Sequence, residues 1–131
     1  MAALSSLVAG APAVQVGHFT TNPSTGTQAI TGIGFKPKWI MVVGAQDTAA
    51  SALECICGYY DGTTYFTHGH TINNAATSVI YQSTNAAALY QVYDVSANNN
   101  VGTVSSFDAD GFTINKTSAS NELKVFYIVG R

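Results

Sequence analysis

The sequence predicts an all-β fold: an antiparallel, jelly-roll-like β-sandwich of about nine or ten short strands. Runs rich in Val, Ile, Thr and aromatic residues recur along the whole chain at roughly the 8–12-residue spacing of sandwich strands. Turn residues separate them, notably the cluster TNPSTG, the pairs Asp61-Gly62 and Asp110-Gly111, and Asn98 to Asn100. Helix-length segments are missing. The alanine-rich pieces AASAL and NAAAL are too short to stand as helices.

In chain order, AVQVGHFT opens the fold and TQAITG follows the first turn cluster. Pro37 then precedes the apolar strand WIMVV. ALECICGYY and TTYFTHGH flank Asp61-Gly62, which signals a hairpin with a two-residue turn. TSVIYQS and AALYQVYDV come next, across a short polar gap. VGTVSSF leads to Asp110-Gly111, a second hairpin signal into FTINKT, and ELKVFYIV closes the chain.

Two of these strands are apolar on both faces. Alternate side chains of a strand point to opposite sides, so Ile40 and Val42 share one face while Trp39, Met41 and Val43 share the other. The Trp39 face is expected in the core, because Trp is bulky and follows the Pro37 entry. KVFYIV repeats the pattern, with Val125, Tyr127 and Val129 against Phe126 and Ile128. A sandwich covers one face of each sheet, and no helices are available for the other. The second face therefore needs another subunit or another protein. The sequence reads as that of a protein that assembles.

The 131 residues make one domain, residues 13–131, preceded by an arm, residues 1–12. Charged residues are 9% of the chain, against a usual value of about 25%. The net charge is −2, and Lys36, Lys38, Lys116, Lys124 and Arg131 are dispersed, which excludes a phosphate-gripping track and hence a nucleic-acid partner. No run approaches the roughly 18 apolar residues of a membrane span. The arm lacks Lys or Arg after its Met, and Ser5 and Ser6 interrupt its apolar run, unlike a signal peptide. It is expected to dock on a partner through Ala2, Leu4, Leu7 and Val8.

Catalytic motifs are not evident, and neither an enzymatic role nor a cofactor is expected. His18, His68 and His70 stand outside any nucleophile elbow or zincin motif, and Glu54 and Glu122 are isolated. Cys55 and Cys57 share a strand face at a spacing too long for an unstrained disulfide. They read as small apolar residues of a reducing compartment. Together with His68 and His70 they could bind zinc only if two strands brought all four together. The stretch D-A-D-G, with Asp108 and Asp110, reads as a hairpin turn, since the later ligands of a calcium loop are missing. Tyr59, Tyr60, Tyr65, Phe66, Tyr81, Tyr90 and Tyr93 cluster in the middle third, either as a sugar-stacking platform or, more in keeping with tyrosine on strands, as packing.

Two segments carry a resemblance. VGHFTTNPSTGTQAITGIGFKPKWIMVV has a G-x-F start, a Thr/Gly-rich turn and an I-x-G-x-GF-x-P-K join into a β-branched strand. SFDADGFTINKTSASNELKVFYIVG has a GF-T-I strand, a short loop and an apolar closing strand. The pair resembles a small β-sandwich virion protein domain of tailed bacteriophages, found as capsid decoration (cement) proteins and in tail components. It is more loosely similar to the H-type lectin sandwich. Residues 45–101 carry no resemblance. The likeness implies a non-enzymatic structural protein on the capsid exterior, a homotrimer that binds the major capsid protein and clamps the shell. The alternative it implies is a tail-fibre or lectin-like module that binds carbohydrate for host attachment.

Overall fold

The structure, a computed structural model, describes residues 13–46, 52–73, 79–84, 87–92, 100–118 and 122–131. The expected arm contacts Ala2, Leu4, Leu7 and Val8 lie outside the described residues. Among the described residues, ten strands form two antiparallel sheets packed face to face. The larger sheet runs β1 (Val14–Thr20), β10 (Leu123–Gly130), β3 (Trp39–Gln46), β4 (Ala52–Tyr60), β5 (Tyr65–Asn73) and β6 (Val79–Thr84). The smaller runs β2 (Gly26–Thr31), β9 (Gly111–Ser118), β8 (Asn100–Asp108) and β7 (Tyr90–Val92). The antiparallel sandwich read from the sequence is the fold observed.

Inward residues of both sheets make one core. Ile40, Val42, Ile56, Val125 and Val129 from the larger sheet meet Phe112, Ile114 and Val104 from the smaller. Aromatic rings tie the sheets at two points. Phe112 of β9 meets Tyr127 of β10 edge-on at 5.3 Å, with Phe19 of β1 beside both. Tyr60 and Tyr65 stack at 4.0 Å, Tyr60 lies 5.7 Å from Phe107, and the Tyr65 hydroxyl both donates to Val104 O and accepts from Val104 N.

The resemblance-bearing segments meet in space. Gly32 and Gly34 both sit at φ +85°, a region open to glycine but strained for side chains. Their amides converge on Asp110, which accepts from Gly32 N at 3.0 Å and Gly34 N at 2.6 Å. The G-x-G join and the D-A-D-G turn are therefore two halves of one clasp. Asp108 is likewise committed, accepting from the hydroxyls of Ser106 and Thr113, both at 2.7 Å.

Two local expectations are corrected. Asp61-Gly62 does not form a two-residue turn: the closing pair is Tyr60↔Tyr65, leaving a four-residue loop. That loop is shaped by the Asp61 carboxylate, which accepts from the amides of Thr63 (2.9 Å) and Thr64 (2.7 Å). The second correction concerns β3, whose core side is the opposite of that expected. Ile40 and Val42 are fully buried, whereas Met41 and Val43 are 41% and 52% exposed. The Trp39 ring lies over Gly130, where a Cβ would stand 2.1 Å from it, so its bulk is accommodated by a glycine on the outer side.

Candidate functional site

The feature with functional meaning is the outer face of the larger sheet. Because β1, β10, β3, β4 and β5 are paired in register, their outward side chains align in rows. One row reads Val16, Ile128, Met41, Tyr59, Phe66; the next reads His18, Phe126, Val43, Cys57, His68. A third reads Thr20, Lys124, Ala45, Cys55, His70, and Val14, Gly130 and Trp39 begin a fourth. Val14, Val16, Val43, Phe66 and Phe126 are exposed, Phe66 most of all at 62%. The second faces of the two doubly apolar strands lie side by side, since β10 and β3 are neighbours. They merge into one patch five strands wide.

The electrostatics of this face are spare. Among the described outward residues there is no carboxylate, and Lys124 is the only Lys or Arg. The three histidines of the chain, His18, His68 and His70, all lie here. The smaller sheet has the opposite character on its outer side. There Thr27 pairs with Asn115 and Asn115 with Thr103, while Ala29 pairs with Thr113. The molecule thus has one oily side and one hydroxyl-rich side. Solvent suits the second; the first is a large exposed apolar patch of the kind that marks an interaction site.

The face has relief. A hollow of about 690 Å³ opens over β1, β10, β3 and β4, bounded by His18, Val43, Phe126 and Lys124, with the smaller Thr20, Ala45 and Cys55 between them. Most of its lining is apolar, with His18, Thr20 and Lys124 supplying the polar atoms.

The residues weighed for metal binding do come together, with Cys55 opposite His70 and Cys57 opposite His68. On a flat sheet, however, their Cβ atoms mark a rectangle of about 7 by 5 Å. An ion above its centre is beyond what a cysteine can reach with a Zn–S bond of about 2.3 Å. Among the described residues no group of three or more metal-ligating side chains converges. Both thiols are free and exposed.

The tyrosine cluster divides. Tyr60, Tyr65 and Tyr90 turn into the sandwich, with Tyr90 completely buried. Burial drives the Tyr90 hydroxyl far above the ordinary tyrosine range. Tyr59 and Phe66 stand together on the outer face, and the side chain of Tyr81 and all of Tyr93 lie outside the described residues. Sequence reasoning found the paired motifs C-x-C and H-x-H but not that His18 shares their face. Only the strand order β1-β10-β3-β4-β5 puts it there.

Comparison of the chain with protein-family models, with curated proteins and with solved structures gave no significant match.

Proposed function

We propose that the protein is a non-enzymatic structural protein of a bacteriophage particle, a capsid decoration protein that oligomerises on the exterior of the shell, binds the major capsid protein and stabilises it. The observation that carries the assembly part is the exposed apolar face of the larger sheet, with Met41, Val43 and Phe126 at its centre and Phe66 toward one side. Left in water, a contiguous apolar surface of this width costs free energy that a covering protein would recover. The virion setting rests on the resemblance carried by residues 16–43 and 106–130.

Copy number is the test. Quantitative mass spectrometry of purified particles should find the chain at an abundance comparable with that of the major capsid protein. A handful of copies per particle would favour a fibre-tip or sugar-binding role, and none at all would end the proposal.

A further inference from the structure

We infer that the occupant of the apolar face is a second copy of this chain, packed sheet against sheet about a two-fold axis lying in the plane of contact. This rests on the assembly reading above and goes further by naming the partner and the contact.

The chemistry of the face selects its partner. With Lys124 its only Lys or Arg and no described carboxylate, it has little to offer a charged surface. A fitting partner must be flat and apolar over the same breadth. Among the described residues, the one other broad outer surface, on the smaller sheet, is lined by Thr and Asn. The apolar face itself meets the requirement, and a patch that matches itself makes an isologous two-fold contact.

The dimensions agree. Three rows of five strands and a fourth of three, at about 4.8 by 6.8 Å per position, give a plane of about 590 Å² per copy. Two copies then bury about 1,200 Å², at the lower edge of the range of roughly 1,200–2,000 Å² for stable, specific contacts. Three copies around a three-fold axis would meet only along the margins of their flat faces. The central side chains Met41, Val43 and Cys57 would then border an open channel. A pair covers them.

Relief fixes the axis. The hollow lies over β1 to β4 between the second and third rows, while the exposed Phe66 stands on β5 in the first row, so the two are on different strands and different rows. A two-fold bisecting the line between them lays Phe66 of each copy over the hollow of the other. An aromatic anchor seated in an apolar pocket is the usual centre of binding energy in such contacts.

The test uses the full chain without particles. Sedimentation at pH 8 over a range of concentrations should show a monomer–dimer equilibrium. Thiol-reagent reactivity of Cys55 and Cys57, the only cysteines, should fall in step with dimer formation. Phe66→Asp should weaken the dimer by at least about 30-fold, with an unchanged circular dichroism spectrum. A dimer whose thiols stay fully reactive, or one indifferent to Phe66→Asp, overturns the inference. So does a trimer, or a monomer at every concentration. Such a trimer or monomer that still decorates particles leaves the assembly reading standing. A monomer that also fails to bind them removes both.

Discussion

The carboxylate of Asp110 accepts the amide of Gly34 at 2.6 Å across 76 residues of chain, and its other oxygen takes the amide of Gly32. This clasp joins the turn before β3 to the β8–β9 hairpin, and so to the smaller sheet. Asp110→Ala removes both acceptors at once and should cost about 1.5–3 kcal/mol, the range for hydrogen bonds to a charged group. Urea unfolding at neutral pH measures it. Asp110→Asn, which keeps one carbonyl oxygen, should fall between the two.

Neighbouring residues on β3 should behave oppositely. Ile40→Ala empties a fully buried site and should lower stability by about 2–5 kcal/mol. Met41→Ser, on the outer face, should leave monomer stability within about 0.5 kcal/mol while weakening self-association. Paired urea melts and sedimentation runs separate the effects. Equal destabilisation by both would contradict the assignment of faces.

A buried charge should be poorly tolerated on the outer face of the larger sheet. His18 faces Phe126 across the strand pair, with Lys124 one row away. His68 faces Cys57, with Cys55 and Tyr59 in the adjoining rows, and His70 faces Cys55. On β6 their partners are Thr84 and Gln82. No described carboxylate on this face can answer a new positive charge. A charge introduced at the middle of the face would be covered without a partner, which is costly. Val43→Lys should therefore weaken self-association strongly while leaving the circular dichroism spectrum unchanged, as sedimentation at neutral pH would show.

The folded monomer should lose stability in a lower range. Asp61 is held below the usual carboxylate range by the amides of Thr64 and Thr63. Asp108 is held there by the hydroxyls of Ser106 and Thr113, aided by the charge of Lys36. The fold favours both in ionised form. Their contribution is present above the unfolded values, near pH 4, and is lost as pH falls through the depressed folded values. Thermal unfolding should change little between pH 7 and 5 from this source and decline below about pH 4. Asp61→Asn and Asp108→Asn should each make that acid decline shallower.

The strands were legible in the sequence because Pro, Gly, Asn and Asp mark nearly every boundary and because β-branched runs have strand length. The side of β3 that enters the core was not. Ile40 and Val42 are as apolar as Met41 and Val43, so alternation says that two faces exist without saying which is inside. Gly130, 91 positions on from Trp39 in the chain, decides it by making room for the indole on the outer side. The Asp110 clasp was hidden for the same reason: its partners are remote in sequence and bind through backbone amides, which no residue type announces. The exposed apolar face was half visible. Two doubly apolar strands implied a missing partner, while their adjacency, and the histidines around them, emerge only from strand order.

The chain enters and leaves the described sandwich at one corner, where Arg131 N donates to Ala13 O at 3.0 Å beside the pair Val14↔Gly130. Among the described residues β1 is an edge strand, held on one side only, by β10. Tension applied through these two points would part the β1–β10 ladder from its open end, one hydrogen bond after another, like a zipper. Such bonds lie across the strands, so peeling never meets more than one or two together. Pulled by its ends, the molecule is mechanically soft. Loaded instead across its oily face, the larger sheet shares the force among its strands, so the direction of the load decides how much the molecule can bear.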